Sequence, residues 1–364
     1  MPATPDQSAR VVRPPAPEAT MLAMVTTAHG GPEVVEARRV PVPVPGPGEV
    51  LVRVAAAGCN NTDLWTREGT YGPADDPSRR GGWLGPLDFP RIQGGDVAGT
   101  VFAHGEGVTS PPLGARVLVD PALYDSEEPD ALVVDVLGSE RDGGFAEHAV
   151  VPASCAHDVT GSPLTDVELA ALPIAYGTAL GLLARSGAGE ADTVLVTGAS
   201  GGVGLAAVQL ASARGCRVVA VSSGAKADAV RAAGADVVVD RGRGRVLDDV
   251  RDACPEGLDA ALDVVAGPVL SGGLGLLRPG GRWVVAGSLD GAQVSVDVRS
   301  LYLANQALVG STMHSPAIFA ELVDLARAGE VRPVIAVTHA LADLPAAHAD
   351  LAGRGLVGKI VVVP

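Results

Sequence analysis

The sequence predicts an α/β chain of two domains, one mainly β and one built on a doubly wound parallel sheet. Three observations predict it. From Met21 to Val151 short apolar runs are broken every few residues by Gly and Pro. From Ser162 onward apolar runs alternate with helical stretches. Inside that second region a glycine-rich turn, Val194 to Gly204, joins a strand to a helix. Short strands with many turns make a compact, barrel-like unit. Strands alternating with helices make a parallel sheet wrapped by crossovers. At 364 residues the chain is too long for one ordinary core, and its 47% apolar content can fill two.

The elements follow in order. Residues 1–20 are rich in Pro, Ala and Thr, lack the apolar stretch of a signal peptide, and are expected as a disordered leader. Val50 to Ala56 and Ala115 to Val119 read as strands, and Pro41 to Val50 as extended backbone and turns. Tyr71 to Pro90 is a long polar loop with Asp75, Asp76, Arg79, Arg80 and Trp83; loops of that length are usually functional or disordered. In the second region strands are expected at Thr193 to Thr197, Arg217 to Ser222, Asp236 to Val239, Ala260 to Val265 and Arg282 to Ala286. Helices are expected at Gly202 to Arg214, Ala225 to Ala233 and Ala317 to Ala328, the last stopped by Gly329. The closing "VGKIVVVP" is strand again and is expected to return to the first domain. The boundaries are therefore 1–20 for the leader, 21–160 with 312–364 for the mainly-β domain, and 161–311 for the parallel-sheet domain.

The formal net charge of -15 argues against a nucleic-acid partner, which needs a basic face. It leaves room for a small phosphate-bearing ligand, because a helix N-terminus and one or two cations hold an anion locally. No apolar run reaches the roughly eighteen residues of a membrane span. The four cysteines, Cys59, Cys155, Cys216 and Cys254, lie far apart with no CxxC spacing, so no structural zinc lobe is expected. Free thiols and a cytoplasmic location are the expectation.

The strongest single signal is "VLVTGASGGVG", Val194 to Gly204. Small residues let backbone approach a pyrophosphate, whose charge then meets free N–H groups at the helix N-terminus. Ala199, Ser200, Gly201, Gly202 and Val203 are the candidate cradle, and Gly204 lets the helix pack closely on the strand. In NAD enzymes an acid at the end of the second strand accepts from the ribose 2′-OH. Here that place holds Ser222, Ser223 and Lys226, with Arg241 after the third strand. A 2′-phosphate suits hydroxyls and cations, which points to NADPH; a plain helix cap with a solvated lysine is the alternative. Gly287 completes the cofactor set. "TGASGGVG" also fits short-chain dehydrogenases, but those begin with the motif and place Tyr and Lys four residues apart downstream. Here roughly half the chain precedes the motif, and the only later tyrosine, Tyr302, is followed at that spacing by Gln306.

"HGGPEVVE", "PGPGEVLVRVAAAGCNNTD" (Pro45 to Asp63), "PRIQGGDVAGTV" (Pro90 to Val101), "GSERDGGFAEHAVVPA" (Gly138 to Ala153) and the closing "VGKIVVV" together resemble the medium-chain dehydrogenase/reductase superfamily, over the whole length from about Met21. The resemblance is closest to its zinc-independent quinone and enone reductase branch. It implies a GroES-like substrate domain, a Rossmann cofactor domain and a cleft between them.

The zinc enzymes of that superfamily place a Cys where this chain has Asn60, one residue after Cys59. They place a Gly-His-Glu where it has Gly94-Gly95-Asp96, and a second Cys where it has Ile174. A catalytic zinc needs three protein ligands and an open position, so no metal is expected. Without that Lewis acid, hydride addition to a conjugated enone, enal or quinone is the more economical chemistry, since its charge spreads into an enolate that a hydroxyl stabilises. The resemblance to enone reductases points to Tyr71 as that donor; a loop anchor is the other possibility for it. Asn60 and Thr178 match family positions lining the nicotinamide pocket, and Asn61 sits beside them; each is equally open to a structural hydrogen bond. Asp63 is expected to fix its loop. Trp65, Trp83 and Tyr176 are candidate walls of an apolar substrate pocket. His148 and His157 are expected in surface or packing roles. The resulting expectation is an NADPH-dependent reductase of a small activated C=C. A zinc-free alcohol or carbonyl dehydrogenase and a non-redox or non-catalytic NADPH-binding protein are the alternatives. The resemblance also suggests a homodimer through edge strands around Arg282 to Gly310.

Overall fold

The computed structural model describes residues 19–72, 81–126, 128 and 131–364. The leader up to residue 18 and the loop residues Asp75, Asp76, Arg79 and Arg80 lie outside the described residues. The first strand, Thr20–Thr26, opens at the last residue of the expected leader.

The mainly-β part is a seven-stranded sheet. Its path runs Ala156–Asp158, Arg116–Val119, Asp96–His104, Glu49–Cys59, Lys359–Val363 and Ile335–Ala340, and His148–Pro152 also pairs with Glu49–Cys59. The chain's end therefore does return to the first domain: Val361 pairs antiparallel with Gly58. A three-stranded sheet of Val35–Pro41, Thr20–Thr26 and Arg91–Ile92 lies beside it. Glu49–Cys59 is buried along almost its whole length, as a central strand covered on both faces must be.

The second sheet has six parallel strands in the order Val237–Asp240, Arg217–Ser222, Thr193–Val196, Leu258–Asp263, Leu277–Val285 and Ala307–Gly310. Counted along the chain this is 3-2-1-4-5-6, the doubly wound order that puts a ligand crevice where the direction of winding reverses. That point lies between Thr193–Val196 and Leu258–Asp263. Side chains alternate between two cores, as the period of a strand demands. Val194, Val196, Val218 and Ala220 face one, while Leu195, Val219, Val221 and Trp283 face the other.

Of the helices that had no counterpart in the sequence reading, two bear on the site. Pro173–Ser186 begins on a proline and ends at Gly187 in the left-handed region, and it is buried nearly all round. Its uniform apolarity carries no helical period, which is why the pattern hid it. It packs against both Gly202–Ala213 and Pro316–Ala328. The block around Asp63, expected as loop, is the helix Asn61–Glu68, closed by Gly69 at φ 65°. No helix among the described residues is long and apolar enough to cross a membrane.

Candidate functional site

The glycine turn closes on itself through Gly201 N–H donating to Gly198 O, with Gly198 at φ 59°. A Cβ on Gly204 would collide with the Gly198 carbonyl, so the helix Gly202–Ala213 sits as close to the strand end as backbone allows. Its first N–H groups have no partner within the helix, and the helix begins at the end of the first strand of the sheet. Ala199 is buried and bonded to Val221 O; Ser200 O accepts from Gly358 N at 3.0 Å. Gly202 and Val203 open the helix, and a Cβ on Gly202 would stand 2.7 Å from the Lys359 stem. Gly287 packs with no room for a Cβ beside the Val264 carbonyl, at the end of the fifth strand. The cradle can hold a pyrophosphate.

At the end of the second strand the expected set divides. Ser223 is half-buried at the mouth of the turn. Ser222 is 2% exposed and its hydroxyl has no partner among the described residues. Lys226 is partly committed within the chain. Its ammonium donates to Arg354 O at 2.7 Å and Leu356 O at 2.9 Å, which leaves one N–H of three for a ligand. Burial, and then the neighbouring Arg241 charge, lower the Lys226 pKa, so two cations share this corner.

A buried polar corner forms where the starts of the helices Asn61–Glu68 and Pro173–Ser186 approach the last strand. Lys359 is 4% exposed, and its ammonium donates to Cys59 O at 2.9 Å, Asn60 Oδ1 at 2.6 Å and Asp96 Oδ2 at 2.8 Å. Asn60 Nδ2 donates to Asp96 Oδ2 at 2.8 Å and to Gly58 O at 3.4 Å. Ile174 N–H completes the set on Asp96 Oδ1 at 2.7 Å. Every donor of Lys359 and every polar atom of the Asn60 amide is used, the condition under which a buried ion pair is tolerated. This corrects Asn60 as a catalytic donor: its amide is committed to holding the corner together. Asp63 does fix its segment, reaching back to the Asn60 N–H at 2.7 Å. Burial pushes its carboxyl up to about 7, against the pull of that N–H. Burial likewise raises the Cys59 thiol well above its usual value.

Tyr71, Trp65 and Trp83 come together. The Tyr71 ring meets Trp65 edge-on and Trp83 at a tilt, both at 5.6 Å between centroids. Burial pushes the phenol up to about 12, opposed by a hydrogen bond with the Thr62 side chain. Trp83 packs on towards Ala122, Val136 and Met313. Thr178 is 7% exposed, one turn on from Ile174, and Asn61 is half-buried at the first helical position. Tyr176 does not belong to this group. It is 2% exposed in the core, with its hydroxyl 2.5 Å from Gln209 Oε1 on the cofactor-side helix, so it walls no pocket. His157 packs against Phe319 at 5.2 Å, as expected of it.

Sequence reasoning missed Lys359, Thr62 and the Asp263 cluster. Asp263 is fully buried and accepts from Thr197 Oγ1, Trp283 Nε1 and the Val265 and Ala266 amides, at 2.5 to 3.0 Å. It ties the loop beyond the fourth strand to the glycine turn. A lysine inside the apolar "VGKIVVV" was a signal for a buried cation, but its partners lie some 263 to 300 residues away.

Comparison with known proteins gives the following. Residues 46–161 match the family model of the alcohol dehydrogenase GroES-like domain, and residues 202–328 match that of zinc-binding dehydrogenases. The chain is 31% identical to a quinone oxidoreductase of Lama guanicoe, over 94% of this chain and 97% of that protein. A putative alcohol dehydrogenase from Sinorhizobium meliloti superposes with TM-score 0.90 at 43% identity, covering 95% of this chain and 97% of that one. A 2-octenoyl-CoA carboxylase reductase solved with NADP and 2-octenoyl-CoA gives TM-score 0.84 at 28% identity, covering 96% and 88%. The zinc in the second family description does not fit these residues. Asn60, Gly95 and Ile174 provide no thiolate or imidazole, and a Cβ on Gly95 would lie 2.9 Å from Ile174 Cδ1, leaving no space for a ligand side chain. Among the described residues no group of three His, Cys, Asp or Glu could hold a metal.

Proposed function

Because the chain belongs to the medium-chain dehydrogenase/reductase superfamily, in its quinone oxidoreductase branch, we propose that it is a zinc-independent, NADPH-dependent reductase of the activated C=C of a small enone, enal or quinone. The observations that carry this are the closed Lys359–Asn60–Asp96 network and the half-buried Tyr71 phenol packed between Trp65 and Trp83. The donors that would hold a Lewis acid are absent, so a localised alkoxide would meet hydrogen-bond donors alone. Conjugate addition spreads the same charge over an enolate, within the reach of a single hydroxyl.

Bound NADPH supplies the hydride. The cradle Ala199 to Val203 would hold its pyrophosphate, and Ser223, Lys226 and Arg241 its ribose phosphate. Trp65 and Trp83 would flank a flat apolar substrate and exclude water. Tyr71 Oη would donate to the developing enolate oxygen, with Thr62 orienting the phenol. The raised phenol pKa keeps that proton on the oxygen at neutral pH, which suits a donor. Thr178 and Asn61 would present their polar groups to the nicotinamide side. A second copy of the chain would cover the edge strand Ala307–Gly310 and the preceding helix Val298–Leu303, whose Val298, Tyr302 and Leu303 stand more than 60% exposed. A soluble, cytoplasmic dimer acting on a small molecule is the form proposed.

Steady-state oxidation of NADPH with quinones, enones and ketones, and reduction of NADP+ with secondary alcohols, test the reading. Turnover with the conjugated members, unchanged by chelators, is expected. Turnover confined to alcohols or simple ketones would point to a carbonyl dehydrogenase. Tight NADPH binding with no turnover at all would point to a non-catalytic role.

A further inference from the structure

Two short 3-10 turns meet at the outer corner of the parallel sheet. Gly224–Lys226 follows the second strand and Arg241–Arg243 follows the third. Between them stands Asp240, the last residue of the third strand, in register with Ser222. Its Oδ1 accepts from the Gly224 amide at 2.8 Å and from the Gly242 amide at 2.9 Å. A Cβ on residue 224 would lie 2.6 Å from its Oδ2, so the turn is moulded around this carboxylate. One side chain therefore holds both turns that carry Ser223, Lys226 and Arg241. It also places a negative charge among the cations that would face a 2′-phosphate.

We propose that Asp240 is a specificity-determining residue for the cofactor, with two separable effects: its acceptor oxygen builds the 2′-phosphate pocket, and its charge restrains the preference for NADPH. The proposal rests on the NADPH reading above. Asp240→Asn keeps an oxygen for both amides and removes the charge. Asp240→Ala removes both.

The experiment is kcat/KM for NADPH and NADH with one quinone acceptor, for the wild type and both variants, at low and high ionic strength. Wild type prefers NADPH. Asp240→Asn raises the NADPH/NADH ratio about five-fold at low salt, an advantage that shrinks as salt screens it. Asp240→Ala lowers kcat/KM for NADPH at least about ten-fold through KM, kcat being little changed, because the loop amides lose their acceptor. A ratio in Asp240→Asn that stays level or falls, with wild type still preferring NADPH, overturns the charge assignment alone. An equal loss for both cofactors in Asp240→Ala overturns its role in the 2′-phosphate pocket. Wild type preferring NADH would instead overturn the cofactor reading itself.

Discussion

Asn60 shows how a position can be identified and its role still inverted. Sequence alone marks it as the residue standing where the zinc enzymes have a ligand. The structure turns its amide away from any substrate, because Lys359 and Asp96 claim it. Those partners were out of sight for a physical reason: contacts between residues so distant along the chain leave no periodic trace. Removing the cation should be costly. Lys359→Met leaves the buried Asp96 unpaired and should destabilise the protein by about 3–5 kcal/mol, much of it recovered in the double variant with Asp96→Asn. Chemical denaturation of the four proteins measures that cycle. Tyr71→Phe keeps the ring against both tryptophans and removes only the hydroxyl. It should lower kcat about 10²-fold or more while cofactor KM stays within about two-fold. An unchanged kcat would make Tyr71 a loop anchor. Because burial raises the phenol to about 12, its proton is fully present below about pH 10, and the rate should not fall on its account until alkaline pH.

At the scale of elements, the glycine turn was legible and the long helix was not. "VLVTGASGGVG" announces itself because backbone geometry demands those residues in that order, and the strand and helix flanking it appear within a residue or two of where the pattern placed them. The fifth strand starts earlier than expected, at Leu277, since "LRPGG" reads as a turn when taken alone. Pro173–Ser186 escaped notice through its all-round apolarity, and Asn61–Glu68 because it is a short polar helix whose stability comes from its ends. Gly204→Ala tests the turn most sharply. The methyl group has nowhere to go against the Gly198 carbonyl, so the helix must retreat from the strand. NADPH affinity should fall about 100-fold or more by fluorescence titration, with far-UV circular dichroism unchanged. Wild-type affinity would show that the turn does not carry the pyrophosphate.

At the scale of the whole molecule, folding of the mainly-β unit buries two groups whose proton affinities shift with opposite consequences for stability. His348 is 1% exposed and accepts from Arg67 Nη1 at 2.9 Å, and burial followed by the Arg67 charge lowers its pKa to about 3. The folded state thus keeps His348 neutral while the unfolded chain takes up a proton, so stability is lost as pH falls from about 6.5 towards 3. Asp63, raised to about 7, acts in the other direction. The folded state holds a proton that the unfolded chain has released, so stability is gained as pH falls from about 7 towards 4. His348→Gln preserves an acceptor for Arg67 and removes the first effect. Between about pH 7.5 and 4.5 the variant should therefore gain about 2–3 kcal/mol on the wild type, read as a Tm difference of several degrees. Identical pH profiles would mean that His348 does not titrate with folding.

The fold class and the family could be inferred before any coordinates, because both rest on local patterns repeated in order along the chain. The chemistry could be inferred only as far as the missing ligands. What replaces them is assembled by tertiary structure from three distant segments. The most direct measurement follows the hydride itself. With NADPH carrying deuterium at the transferred position and a simple conjugated enone, the deuterium is expected on the carbon β to a carbonyl that survives, from enzyme containing no stoichiometric zinc. Deuterium on the carbinol carbon of an allylic alcohol would contradict the account.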